Sequence, residues 1–486
     1  MTAKQIPNWI GGEERGARSG EWFDKLNPAN GELIYKAARS SSADVDNAVV
    51  SAKTAQPRWA ETPAVARGEM LLNIAMALKQ NREAVAEVVA AETGKSPKDA
   101  LGETNGAIAL GVFMAGEGQR LYGRTTTSGA VNKYAMTIRQ PVGVAGLIIA
   151  ANTPIANVAW KVFPALICGN AAVLKAAEDT PATAWLFSKI AHEAGLPAGV
   201  LNVINGFGPD AGAPLVAHQD VGVISFTGST AVGRTIAVDA GKRLAKISLE
   251  LGGKNPLVVC DDADLENAVR WVLLSAFSNA GQRCASGSRI IVFDAIYERF
   301  RSMLVEATSK LKVGNGDDDD FGPVINKRQL DNMLAALARA KTAGAVVLTG
   351  GSKLDDDKHR QGFYIAPTLV ENTGMNDEIT TTELFGPIAC LYRVNDFAAA
   401  LECANNSPYG LTACIHTTNV DRAMEFVQKV QSGVAVVNAG TFGSEPHMPF
   451  GGVKQSGNGS REPGTEALDI YSNLKDVYIT TNPANL

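Results

Sequence analysis

The sequence predicts an α/β protein made of two doubly wound lobes, each built on a parallel sheet. Three observations carry that expectation. Short apolar runs alternate with helical patterns of about 10–15 residues. The alternation restarts after Gly252-Gly253. Glycine is the one compositional excess, at 48 of 486 residues, as many tight strand-to-helix turns require.

The first lobe reads clearly from Pro141 onward. Val142–Ala150 is an apolar strand, Asn152–Pro154 a loop, Ile155–Cys168 a helix stopped near Gly169, and Ala172–Lys175 the next strand. The polar and Pro/Gly breaks in Pro141–Leu174 exclude a spanning helix, which needs about 20 apolar residues. Thr180-Pro181 opens a helix through His192, because threonine caps and proline pre-sets φ. Val200–Ile204, Val221–Ser225 and Lys246–Leu251 are further strands, with a helix from Ser229 between the last two. In the second lobe Pro256 marks entry to a strand at Leu257–Cys260. Asp264–Asn279 carries one apolar helical face. Arg289–Phe293, Val346–Leu348, Thr368–Val370 and Ile388–Tyr392 read as strands, and Tyr297–Leu311, Ala398–Asn405 and Val420–Val430 as helices. Gly123–Arg139 and Val477–Thr481 fit neither lobe. They read as exposed strands that need a partner, such as another subunit.

Composition narrows the function. A formal charge of −5 gives no electrostatic drive toward nucleic acid or anionic membranes, and neither partner is expected. Six cysteines without CxxC or His/Cys ligand spacing point to free thiols in a reducing cytoplasm, with no metal site. Met1–Gly11 has no apolar core and no arginine, so export or organelle targeting is not expected. The acidic runs Asp317–Asp320 and Asp355–Asp357 lack calcium-loop spacing and read as solvated turns.

Three loop ends carry candidate chemistry. Phe226–Gly233 follows a strand and opens a helix whose free N–H groups suit a phosphate, although a glycine turn with a helix cap explains it equally. Cys284, in Asn279-Ala280-Gly281-Gln282-Arg283-Cys284, sits in a polar, glycine-adjacent loop where Arg283 and backbone dipoles would favour the thiolate. Cys168, Cys260, Cys390, Cys403 and Cys414 sit in apolar strand or helix contexts and read as inert. Glu250, flanked by Leu249 and Leu251, is a carboxylate at the end of a buried strand. It is either a general base or the partner of a structural cation.

Together these segments resemble the aldehyde dehydrogenase superfamily. The resemblance covers nearly the whole chain, through Phe226–Gly233, Leu249–Pro256, Gly281-Gln282-x-Cys284, Glu383-Leu384-Phe385-Gly386-Pro387 and Pro449–Gly457 in the family's order. It implies NAD(P)-dependent oxidation of an aldehyde through a thioester. Cys284 then corresponds to the nucleophile, Asn152 to the oxyanion donor, Glu250 to the base that activates water, and Lys161 to an aid in proton transfer or to the oxyanion. Ser229 and Gly228 correspond to the pyrophosphate contact, Gly228 admitting close backbone approach. Lys175 and Glu178 correspond to the adenosine-ribose pair, and Glu383 and Phe385 to the nicotinamide side. A carboxylate at Glu178 favours NAD over NADP.

Substrate residues are less determined. Ala150-Ala151 stands where the family often has a Pro-aromatic pair, which opens the wall beside Asn152. Trp160 replaces a basic residue of some semialdehyde members, Arg283 remains a candidate carboxylate anchor, and Phe442 lies in the pocket-lining stretch Gly440–His447. The substrate is expected to be a semialdehyde or an aliphatic or aromatic aldehyde. The resemblance implies a Rossmann-like cofactor domain (1–121 and 142–251), a catalytic domain (252–454) and a small β oligomerisation arm (122–141 and 455–486), giving a homodimer or homotetramer. The alternatives are a CoA-acylating dehydrogenase, an acyl-phosphate reductase and a catalytically silent binding protein. None of these gives Glu250 a task.

Overall fold

Apolar runs buried on both sides pair into parallel ladders, and here they form two seven-stranded sheets. The computed structural model describes residues 4–485. Residues 1–3 and 486, which close two of the expected segments, lie outside the described residues. In the first sheet Lys246–Glu250, Val221–Thr227, Val144–Ile148, Ala171–Lys175 and Leu201–Ile204 lie parallel, side by side. Asn8–Ile10 and Glu13–Arg15 extend the last edge antiparallel.

Side chains alternate across a strand, so each strand feeds two cores. Ala145 and Leu147 pack with the helices Pro154–Ile167 and Pro181–Glu193 on one face. Val144 and Ile148 pack with Ser42–Glu61 and Thr230–Gly241 on the other. The helices Ala64–Gln80, Arg82–Thr93 and Pro97–Gly116, and a small sheet of Gln5–Ile6, Leu33–Ala38 and Trp22–Leu26, are elements beyond the sequence expectations.

The second sheet runs Val346–Thr349, Thr368–Glu371, Ile388–Val394, Gly287–Phe293, Asn255–Val259, Thr412–His416, Val434–Val437. All neighbours are parallel except the first pair. Pro256 lies inside its strand rather than before it, and a register irregularity at Asn255/Pro256 accommodates the missing N–H. The two segments expected to seek a partner pair first with each other. Lys133–Pro141 runs antiparallel to Ser472–Thr480, with Thr125–Thr126 on its far side. Among the described residues nothing pairs with the outer edge of Ser472–Thr480, where Leu474, Tyr478 and Ile479 are exposed.

The strands of the first sheet end at Ile148, Thr227 and Glu250, facing the points where Asn255–Val259, Gly287–Phe293 and Ile388–Val394 begin. Loops from both sheets therefore meet in one crevice. Among the described residues no helix is long and apolar enough to cross a membrane.

Candidate active site

That crevice holds a cavity of about 300 Å³ lined by Ala150, Asn152, Trp160, Thr227, Gly228, Ser229, Glu250, Cys284, Glu383, Phe385 and Phe450. The structure thus brings together Cys284, Glu250 and Asn152 with Gly228, Ser229, Glu383, Phe385 and Trp160. A larger open groove of about 810 Å³ lies at the far end of the second sheet, lined by Tyr297, Arg301, Glu371 and Arg393. It contains none of these residues, and its two arginines are paired with Glu371 and Glu298.

Cys284 follows a short 3-10 turn in which Asn279 and Ala280 take the left-handed conformation, with φ of 54° and 53°. Non-glycine residues there are strained and must be held by their surroundings. At Gly281, also left-handed, a side chain would collide with the Gly386 carbonyl. The buried Gln282 side chain secures the loop, accepting from the Ile325 N–H at 2.8 Å and donating to the Asn279 and Pro323 carbonyls. Asn255 Nδ2 donates to the carbonyls of Cys284 at 2.7 Å and Ser286 at 2.9 Å. Cys284 is half-buried, whereas the other five cysteines are buried.

The expected thiolate is not what this setting favours. Burial pushes the Cys284 thiol up to about 12, and the Glu383 and Glu250 carboxylates add to the shift. Arg283 does not counter it, because its guanidinium donates to the Ser278 carbonyl at 3.2 Å and stacks on the Phe442 ring at 4.7 Å. Cys284 alkylation by iodoacetamide, without cofactor, is therefore expected to accelerate about tenfold per pH unit from about pH 7 to 10. A plateau near neutrality would contradict this reading.

Glu250 ends its strand fully buried. Burial raises its carboxyl well above the usual range, the Glu462 carboxylate raises it further, and Lys161 and Arg461 act against both. Neither Glu250 oxygen has a hydrogen-bond partner among the described residues, so the group is free to act on a molecule in the cavity.

Lys161 does not reach that cavity. It is wholly buried, 2.8 Å from Glu462 Oε2 and 2.7 Å from Ser225 Oγ. The expected proton-transfer role is thus replaced by an ion pair, which acts on Glu250 only through its charge. Glu462 also accepts from Ser225 Oγ at 2.7 Å and Tyr471 Oη at 3.1 Å. Lys161→Met would leave that carboxylate buried without its cation and is expected to cost about 3–5 kcal/mol in denaturant unfolding. A loss below about 1 kcal/mol would contradict it. Glu462 escaped the sequence reading because its importance arises from tertiary approach to Ser225 and Lys161.

Asn152 Nδ2 donates to the Gln282 carbonyl at 2.9 Å, placing this amide against the cysteine loop. Asn157 Nδ2 lies 3.4 Å from Asn152 Oδ1 and fixes which way the amide faces. On the opposite wall Ser229 caps the helix Thr230–Gly241, its hydroxyl accepting from the Val232 N–H. Gly228 also lines this wall, and a side chain there would run into the Phe226 ring. Glu383 accepts from the Gly253 N–H at 2.9 Å, and burial pushes its carboxyl up to about 7. Phe385 is held at φ 54°. Lys175 and Glu178 lie outside the cavity, 3.1 Å apart at the end of the neighbouring strand. Burial raises the Glu178 carboxyl, but Lys175 and backbone hydrogen bonding outweigh it and leave it lowered. Trp160 meets Phe450 edge-on at 5.4 Å. Arg283 and Phe442 do not line the cavity.

The sequence matches the profile of the aldehyde dehydrogenase family over residues 15–477. The chain belongs to that family. It is 38% identical over 475 residues to an alpha-ketoglutaric semialdehyde dehydrogenase of Bacillus subtilis (strain 168), covering 97% of each chain. It is 36% identical over 476 residues to an alpha-ketoglutarate semialdehyde dehydrogenase of Haloferax volcanii, covering 97% of this chain and 98% of the relative. Among solved structures, betaine aldehyde dehydrogenase from Staphylococcus aureus in complex with NAD+ superposes with a TM-score of 0.96 at 32% identity. That match covers 98% of this chain and 95% of the other.

Proposed function

We propose that this aldehyde dehydrogenase oxidises an aldehyde to its acid with NAD and hydrolyses its own thioester. The observation that carries the reading is the meeting of Cys284, Asn152 and Glu250 in one cavity. The Cys284 sulfur adds to the carbonyl carbon, and its proton leaves to solvent or a neighbouring carboxylate. The Asn152 amide and the Cys284 N–H donate to the developing oxyanion. Bound NAD supplies the acceptor for the hydride released as the adduct becomes a thioester. Glu250, once deprotonated, takes a proton from water as that water attacks the thioester carbon, and the Cys284 sulfur departs.

The residues present fit such a cofactor. A helix start capped by Ser229 faces the cavity that Glu383 and Phe385 line, and helix starts favour phosphate. Glu178 carries the preference for NAD over NADP, because a carboxylate repels a 2′-phosphate. The first sheet then forms the cofactor domain (1–121 and 142–251) and the second the catalytic domain (252–454). The segments 122–141 and 455–486 form an arm whose free edge joins a second copy, in a homodimer or homotetramer. Free thiols suit a reducing compartment such as the cytoplasm.

A semialdehyde bearing a carboxylate is the substrate best supported. Two relatives are named for one. With NAD, the purified enzyme is expected to form NADH fastest from alpha-ketoglutarate semialdehyde, ahead of propanal and benzaldehyde. It should need neither CoA nor phosphate. A requirement for CoA would favour the acylating alternative, and one for phosphate the acyl-phosphate alternative.

A further inference from the structure

The proposed oxyanion donor sits on an irregular stretch between the strand Val144–Ile148 and the helix Pro154–Ile167. Such a loop needs outside support to hold one side chain to a fraction of an ångström. The support comes from two charged residues of the helical layer. Lys95, in the turn before the helix Pro97–Gly116, donates from Nζ to the Asn152 carbonyl at 3.0 Å. Glu103, inside that helix, lies 2.6 Å from Lys95 Nζ through Oε2. Its other oxygen accepts from the N–H groups of Ile155 at 3.0 Å and Ala156 at 3.3 Å. The pair therefore grips the Asn152–Ala156 segment at both ends, by the carbonyl before Pro154 and the N–H groups after it.

Both side chains are buried, at 5% and 7% exposure. A buried pair is kept only where its remaining donors and acceptors are also satisfied, and here the Asn152–Ala156 backbone satisfies them. The Asn152 carbonyl also lies 3.4 Å from Asn279 Nδ2 of the cysteine loop. The same peptide is thus tied to the helical layer on one side and to the Cys284 loop on the other.

We propose that Lys95 and Glu103 are positioning residues for the oxyanion site, setting the Asn152 amide against Cys284 without touching substrate. This rests on the reading of Asn152 as the oxyanion donor. The test is a double-mutant cycle read in the pre-steady-state burst of NADH, with alpha-ketoglutarate semialdehyde and, in parallel, propanal. Lys95→Met is expected to slow the burst about tenfold or more while leaving the Kd for NAD within about twofold. In the Asn152→Ala background the same change is expected to slow it less than about twofold, because the group it positions is gone. Lys95→Arg, which keeps the cation and its donors, should restore most of the rate. Glu103→Gln, which keeps the acceptor but breaks the ion pair, gives a second series should Lys95→Met fold poorly.

Equal slowing in both backgrounds would make the pair merely structural and overturn the proposal. An unchanged burst in Lys95→Met and Glu103→Gln would overturn it too, with Asn152 still the donor. An unchanged burst in Asn152→Ala itself would instead overturn the reading beneath it.

Discussion

Replacing Cys284 by serine is expected to lower aldehyde oxidation roughly 10⁴-fold or more, measured as NADH formed per enzyme. The oxygen nucleophile would need a base at its side to lose its proton. A serine hydroxyl holds its proton far more tightly than a thiol does, and a nearby carboxylate such as Glu250 is too weak a base to remove it. None of the other thiols can substitute. Cys168, Cys260, Cys390 and Cys414 are at most 1% exposed and Cys403 is 8% exposed, and none of them lines the cavity. Near-normal turnover in Cys284→Ser, with the protein intact by mass, would remove the nucleophile assignment.

The second large effect belongs to Glu250→Gln. In the proposed cycle thioester formation uses the sulfur and the Asn152 amide, whereas thioester hydrolysis uses a base. The variant is therefore expected to give a burst of up to one NADH per active site. Steady-state turnover should then fall by about 10²–10⁴-fold, the usual worth of a general base. The wild type carries a related pH dependence. Burial and the Glu462 carboxylate hold Glu250 protonated to a higher pH than an ordinary carboxylate, and only the deprotonated form can take a proton from water. Turnover is thus expected to rise with pH through the raised pKa, and this rise should vanish in Glu250→Gln. Ordinary turnover in the variant, with no burst, would show that Glu250 is not the base.

Much of the fold is legible in the sequence where patterning is strong. The strands from Val144 to Val259 are buried on both faces, so they read as apolar runs between glycine and proline turns. The helix after Thr180-Pro181 starts where threonine and proline place it. The segment Ala64–Gly116 is less legible, because its helices pack on other helices rather than on a sheet. The arm shows a different limit. Gly123–Arg139 and Val477–Thr481 read as exposed strands, but their pairing across more than 300 residues leaves no local trace.

The site divides the same way. Cys284, Glu250 and Asn152 stand out because each breaks the pattern around it: a thiol in a polar loop, a carboxylate between leucines, an amide after a buried strand. Glu462, Lys95 and Glu103 do not. A charged residue in a helix or a Gly-Ser-Arg-Glu run looks solvated until the chain closes over it. The electrostatics were the least readable. Arg283 adjoins Cys284 in sequence, yet its guanidinium turns to Ser278 and Phe442, and burial then sets the thiol's proton affinity.

The most direct test of the thioester is to look for it. Glu250→Gln is mixed with NAD and alpha-ketoglutarate semialdehyde, quenched in acid during the burst and weighed intact. The expected result is a single acyl adduct in proportion to the NADH released, mapped by peptide digestion to Cys284. NADH release with no adduct, or an adduct on any other residue, would contradict catalysis through this sulfur.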